Sequence, residues 1–305
     1  MNATNKPILP AALKRGDTIG ITAPAGPIHN EEDFAAGIRL LAEMGFQTRH
    51  RRDILRKDGY LAGNDRERAA ELHELWRDPE VKAIVAARGG YGCMRILPCL
   101  DLNLIKLQPK ILIGFSDLTV LLAAINRQTG LFTFHGPMLT TLARSDRASQ
   151  ESFFNLLTGQ PQTDFKVKGL EILKGGEAKG RLLVANLSTL VHLIGTPFEP
   201  DYEESILLLE DIGEAPYRID RLLTHLAAAG RLSRIAGLVL GDFDQCGDVE
   251  LIWQRSLDLL TGNQCPVWAN FPVGHGSRNL LLPMGAEARL DSSSGRLTIL
   301  EQLVR

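Results

Sequence analysis

Ile111-Leu112-Ile113-Gly114-Phe115-Ser116-Asp117-Leu118 sets three large apolar residues and a glycine ahead of a serine, and a second apolar run continues from Leu118 to Ile125. The first run has the length of a strand buried on both faces, and the second that of a buried helix. The same alternation extends in both directions. Upstream, Val81 to Ala86 reads as a strand running into Arg88-Gly89-Gly90-Tyr91-Gly92. Thr18 to Ala23, closed by Pro24-Ala25-Gly26-Pro27, and Phe46 to His50 read as two more. Phe34, Ile38, Leu41 and Met44 recur at helical spacing, and Asn64 with Glu67 has the spacing of a capping box, which predicts a helix over Asp65 to Arg77. Downstream, Leu131 to Phe134 is a fifth strand. The pattern predicts an α/β fold whose N-terminal domain is a flavodoxin-like or Rossmann-like parallel sheet with helices on both faces.

The character of the chain changes between Arg144 and Asp164, where Ser, Gln and Gly accumulate. A linker is expected at residues 146–164, holding one short helix (Glu151 to Leu157) between an N-terminal domain of residues 1–145 and a C-terminal domain of residues 165–305. Phe165 to Leu173 and Lys179 to Val184 look like strands, and Ile206 to Leu209 is a buried strand ending at Glu210. Pro216 stands where a helix starts, with Ile219, Leu222, Leu223 and Leu226 as its apolar stripe and Gly230 as its stop. Ile235 to Leu240 is a further strand, and Ala286 to Leu300 a hairpin turning at Ser292 to Gly295. This half is predicted as a smaller, β-rich α/β domain.

A chain of 305 residues suffices for about two domains. Its 44% hydrophobic and 23% charged residues exclude a disordered or collagen-like protein. A net charge of −2 gives no basic footprint, so no nucleic-acid partner is expected. Cys93, Cys99, Cys246 and Cys265 form no C-x-x-C pair, which argues against a zinc site and a disulfide framework. No apolar run approaches the roughly 18 residues of a membrane span, and Met1 to Gly20, with Lys6, Lys14, Arg15 and Asp17, lacks the apolar core of a secretory signal. A cytoplasmic protein is expected.

Ser116 follows a strand, with glycine two residues before it, as in the nucleophile elbow that presents a serine hydroxyl at the carboxyl edge of a sheet. The N–H of Asp117 would then face the substrate oxygen. Leu118 stands where that motif has its second glycine, and a helix-capping serine is the competing reading. The turn Arg88–Gly92 is compatible with a phosphate cradle, an oxyanion hole or a plain tight turn. P-loop, dinucleotide and calcium-loop patterns all fail: Asn279 stands where a third glycine would follow Gly274 and Gly276, and Cys246 and Trp253 occupy ligand positions of Asp242-Phe243-Asp244. Glu210 at a strand end is a site candidate, whereas Glu214 suits a helix N-terminus. His275, between Gly274 and Gly276, is the best general base. His135 competes, His192 reads as a core residue, and His73 and His225 lie on amphipathic helices. Ser116, Glu210 and His275 together meet the needs of acyl transfer: a nucleophile, a base that activates it, and a carboxylate that orients the base. Cys93 is a rival nucleophile without an identifiable base.

Leu13-Lys14-Arg15-Gly16-Asp17 with Ala23-Pro24, Ala87 to Gly92, Gly114 to Asp117, His135-Gly136-Pro137-Met138, Leu209 to Glu214 with Tyr217 to Arg221, and Gly274-His275 resemble, in consistent order, the LD-carboxypeptidases, serine peptidases of murein recycling. The resemblance implies a Ser116–His275–Glu210 triad, an oxyanion hole from the amides of Asp117 and a glycine of the Arg88–Gly92 turn (Gly90 before Gly89), no metal and no cofactor. It also implies a cytoplasmic homodimer acting on murein tetrapeptides, with the serine in a flavodoxin-like domain and the acid and base in a smaller β-rich one. The resemblance also implies Asn186 as a candidate substrate contact, although Val184-Ala185 stand where the family usually has glycines before that asparagine. Arg88 and Arg278 are candidates to hold the substrate's terminal carboxylate. Two rivals remain: a same-fold peptidase that cleaves a peptide-nucleotide antibiotic, and a non-enzymatic sensor of a small anion.

Overall fold

The computed structural model describes residues 7–305, so the segment through Lys6, part of the stretch inspected for a secretory signal, lies outside the described residues. Five strands of the first half are β1 (Thr18–Thr22), β2 (Gln47–Arg49), β3 (Val81–Ala86), β4 (Ile111–Gly114) and β5 (Thr133–His135). They pair in parallel in the order β2-β1-β3-β4-β5, the doubly wound order of flavodoxin-like sheets. The expected parallel layer is present. The helix Asp65–Arg77 starts with the capping box read from the sequence: Asn64 and Glu67 each accept from the other's backbone N–H.

The second half supplies β6 (Asp164–Lys166), β7 (Glu171–Lys174), β8 (Glu177–Asn186), β9 (Ser205–Ile212), β10 (Gly237–Asp244), β11 (Val267–Ala269), β12 (Leu282–Met284), β13 (Glu287–Asp291) and β14 (Arg296–Ile299). Eight of them form a mixed sheet in the order β6-β14-β13-β8-β9-β10-β11-β7, parallel at its centre and antiparallel at its edges. The single strand expected over Phe165 to Leu173 is two, β6 and β7, on opposite edges of this sheet. Val167, Lys168, Gly169 and Leu170 separate them, with Gly169 at φ +76°, and that break lets the chain change edges.

β12 does not join this sheet. It pairs antiparallel with β5, Leu282 opposite His135 and Met284 opposite Thr133, so the first sheet is completed by the last quarter of the chain. The expected linker is also structural. The helix Arg147–Leu157 occupies most of it and buries Phe153, Leu156 and Leu157. Chain connectivity thus crosses the boundary drawn at residues 146–164 in both directions.

The helix Thr119–Thr129 explains how the halves hold together. Every residue from Thr119 to Ile125 is buried, which a helix attains only when covered on all sides. Leu121, Leu122 and Ile125 share one apolar cluster with Leu187, Leu207, Leu209 and Leu240 of the second half. Burying each such side chain is worth about 1.5–3 kcal/mol, so this interface behaves as core. Two polar ties fix its register: Asn186 N–H donates to Thr119 Oγ1 at 3.0 Å, and Asn126 Nδ2 to Met284 O at 3.2 Å.

Gly241 shows how closely β10 and the loop bearing His275 are packed. A Cβ there would sit 2.5 Å from Val273 O, and the next residue, Asp242, donates its N–H to that same carbonyl at 2.9 Å. Gly241→Ala is expected to destabilise the protein by about 1–3 kcal/mol, the usual cost of forcing an extra methyl against packed neighbours. Urea unfolding checks this, and an unchanged midpoint would show that the loop gives way freely.

Candidate active site

β4 ends at Gly114, and Ser116 stands at φ +61°, a left-handed conformation that a non-glycine residue adopts at a cost of about 1–3 kcal/mol. The serine makes no capping hydrogen bond to the short helix it opens, so the helix-cap reading fails. The next carboxylate holds the turn: Asp117, buried, accepts the Cys93 N–H at 2.8 Å. Burial pushes the Asp117 pKa up and this amide opposes the shift. The bond ties the serine turn to the glycine turn that precedes Cys93.

That glycine turn wraps around the serine. A Cβ on Gly89 would lie 3.1 Å from both Cβ and Oγ of Ser116, so a side chain there would press against the hydroxyl. Gly89 O accepts from Gly26 N–H at 3.0 Å. Across a planar trans peptide the following N–H points the opposite way, which turns the Gly90 N–H away from Gly26. Gly90 has φ +110°, and neither its amide nor that of Asp117 has an acceptor among the described residues. Arg68, fully buried and paired with Asp65 at 2.5 Å, donates to Gly63 O at 3.0 Å, to Pro24 O, and to Gly92 O at 2.9 Å, clamping the turn from behind.

From the second half, Glu210 lies on β9 with no exposed surface, and His275 comes from the loop after β11. His275 Nδ1–H donates to Glu210 Oε2 at 2.7 Å. Burial alone would lower the His275 pKa. The hydrogen bond and charge of Glu210, with Asp211 and Asp244 behind it, outweigh burial and hold it above the ordinary imidazole value. Burial raises the Glu210 pKa, against the pull of His275. The Phe115 ring packs on the His275 ring with centroids 4.7 Å apart, which brings the histidine against the residue beside Ser116. Ser116 Oγ and His275 share no hydrogen bond among the described residues, as is common in unliganded sites. Anchors for the His275 loop come from the segment expected to be a linker: Asp146 N–H donates to Ser277 O at 2.9 Å, Ser149 Oγ accepts from Asn279 N–H at 2.9 Å, and Ser152 Oγ accepts from Leu281 N–H at 3.3 Å.

Other sequence candidates resolve differently. Asn186 is buried. Its Oδ1 caps the next helix at Thr189 N–H, and its Nδ2 donates to Asp211 Oδ1 at 2.9 Å, so it positions the acid strand. Arg278 is paired with Asp146 at 2.6 Å and braces the His275 loop. Arg88 is half-buried over Gly26 and Gly90, donates to Pro27 O at 3.2 Å, and has no acidic partner among the described residues. His135 is sealed in the core, with both ring nitrogens unpartnered. Burial, and the nearby His275, lower its pKa to about 3, which removes it as the base. Cys93 is fully buried and burial drives its thiol pKa upward, so it is no nucleophile. His192 is exposed at a helix end, not in the core. A cavity of about 1030 Å³ lies near the amino end of β9 and contains none of the candidate residues. Among the described residues, no three His, Cys, Asp or Glu side chains are grouped to hold a metal ion, and no helix is long and apolar enough to cross a membrane.

A serine on a strained strand-to-helix turn, free amides beside it and a carboxylate-held histidine above it are the apparatus of a serine-type α/β hydrolase. Comparison narrows the class. Residues 19–136 match the family model for the LD-carboxypeptidase N-terminal domain and residues 179–290 that for the C-terminal domain. The chain belongs to the LD-carboxypeptidase family and is a serine-type carboxypeptidase. It is 39% identical to a probable murein peptide carboxypeptidase of Bacillus subtilis, over 93% of this chain and 92% of that protein. It is 30% identical to the microcin C7 self-immunity protein MccF of Escherichia coli, over 99% of this chain and 98% of that one. Apo MccF superimposes with a TM-score of 0.91 at 28% identity (98% and 100% covered). A muramoyltetrapeptide carboxypeptidase of Oxalobacter formigenes does so with 0.80 at 31% (93% and 99% covered).

With His275 as the base, only its neutral form accepts a proton, so a pKa held above 6.5 places the acid limb of kcat/KM above pH 6.5. Glu210→Gln removes the largest raising partner. The limb is expected to move to lower pH, with kcat reduced about 10²–10⁴-fold. A pH–rate profile checks this, and an unmoved limb would deny Glu210 its role.

Proposed function

We propose that this enzyme removes the terminal D-alanine from murein tetrapeptides, with Ser116 as nucleophile, His275 as general base and acid, and Glu210 as the orienting carboxylate. The observation that carries the reading is the 2.7 Å bond from His275 Nδ1 to a carboxylate sealed from water, which leaves Nε2 as the nitrogen that exchanges protons. In this mechanism Ser116 Oγ attacks the carbonyl at the L-centre of the diamino acid while His275 takes its proton. The amides of Asp117 and Gly90 receive the developing oxyanion, in a geometry already formed before substrate arrives. The histidine then protonates the departing amine, D-alanine leaves, and water activated by the same nitrogen releases the acyl group. The substrate is supported by the name of the Bacillus subtilis relative and by that of the Oxalobacter formigenes structure. The same reading makes the enzyme a cytoplasmic homodimer, an assignment that rests on the family resemblance and that sedimentation velocity checks for the dimer.

A second reading is favoured by one observation: the superposition on MccF is closer than that on the muramoyltetrapeptide carboxypeptidase. Under it, the same residues cut a bond next to a nucleotide in a peptide-nucleotide antibiotic.

Incubation with an L,D-terminated tetrapeptide, its all-L counterpart and a peptidyl-adenylate, read by mass spectrometry, separates the two. Loss of one alanine from the L,D peptide alone is expected, and hydrolysis of the adenylate alone would reverse the assignment. Ser116→Ala is expected to lower turnover by about 10⁴–10⁶-fold with circular dichroism unchanged, and wild-type-like rates in that variant would refute the nucleophile.

A further inference from the structure

We infer that the cavity beside His275 receives the amino acid that the enzyme releases, and that Arg144 reads its free carboxylate there. This rests on the carboxypeptidase reading above. The cavity measures about 210 Å³, and its walls include Phe115, Thr141, Arg144, Gly274, His275 and Asn279. It is smaller than the roughly 300–1,000 Å³ that drug-sized ligands occupy, and it suits a single small residue.

Its position follows from the chemistry. Glu210 takes Nδ1 of His275, so the departing amine must collect its proton from Nε2. The residue attached to that amine therefore rests against the histidine. This cavity has His275 in its wall, and Phe115, the neighbour of the nucleophile, lies beside it.

Its donors are those a carboxylate needs. Arg144 Nη2 pairs with Asp33 Oδ2 at 3.2 Å, which fixes the guanidinium, while the rest of the fork has no partner among the described residues. Asn279 is 3% exposed. Its Oδ1 accepts the Gly274 N–H at 3.3 Å, which leaves Nδ2 as a buried donor without a partner. A guanidinium at the rim and an unspent amide donor in the wall are complementary to a carboxylate, and no acidic side chain lines the cavity to oppose one. The other arginines of the site are placed otherwise. Arg278 is spent on Asp146, and Arg88 lies over Gly26 behind the glycine turn.

The test compares the L,D-tetrapeptide carrying a free C-terminal carboxylate with the same peptide ending in a carboxamide, in wild type, Arg144→Gln and Arg144→Lys. Wild type is expected to favour the acid by about 10- to 100-fold in kcat/KM, the worth of one charge-assisted contact. Arg144→Gln should lose that factor for the acid, mainly through KM, and leave the amide unchanged, with partial recovery in Arg144→Lys. Labelling of Ser116 by a fluorophosphonate should proceed at the wild-type rate in both variants. If Arg144→Gln keeps full preference for the acid, or loses acid and amide equally, the inference is overturned while the carboxypeptidase reading stands. Wild type that labels with fluorophosphonate yet cleaves neither peptide overturns that reading and this inference with it.

Discussion

A glutamate with no exposed surface, on a strand of eight residues between Leu209 and the buried Asp211, is the constraint around which the site is built. Removing a carboxylate from water costs several kcal/mol unless a partner and hydrogen bonds replace the lost solvent. For Glu210 the replacement is one histidine, delivered from a loop 65 residues further along the chain. Every element that steadies that loop therefore also supports the acid. Gly241 admits the loop against β10, Ser149 and Ser152 fix it by hydroxyl-to-amide bonds, and Arg278 with Asp146 closes its outer side. The Glu210–His275 pair and the packing of the second half are one problem in physical chemistry, and they have one solution.

Ser116 meets a parallel constraint in the first half. A serine held at positive φ drifts back to relaxed backbone unless its surroundings fix it. Here the fixing is done by charge. The Asp117 carboxylate takes an amide from the start of the next turn, and the buried Arg68 guanidinium gathers the carbonyls of Gly63, Pro24 and Gly92. The two polar clamps leave the Gly90 and Asp117 amides without acceptors. Donors kept free in this way need no rearrangement when negative charge develops on the substrate.

How much of this the sequence discloses depends on the range of the interaction. The parallel layer was legible because strand and helix periodicities are local, and the capping box at Asn64 is a three-residue device. Ser116, Glu210 and His275 were legible as separate loop or strand-end residues, since glycine neighbours and strand ends leave local marks. Nothing local marks a partner. Arg278 and Arg88 both read as free cations, and only the fold shows Asp146 beside one and none beside the other. Asn186 was a candidate through the family resemblance, and only the fold shows its amide engaged by Thr189 and Asp211. His192 falls in an apolar stretch, but the helix there is one turn long and its end faces water. The pairing of β12 with β5 joins segments some 150 residues apart and has no counterpart in periodicity at all.

That pairing governs how the molecule comes into being. Strand β5 is flanked by β4 on one side, and its other edge stays bare until residues 282–284 arrive to cover it. An uncovered edge is a template for association with other chains, so a nascent polypeptide carries an adhesive margin from the time β5 forms until residues 282–284 emerge. The same late strand follows directly on the loop that brings in His275. Completion of the sheet and arrival of His275 are thus one event, and Ser116 has no histidine from that loop beside it before the architecture is closed.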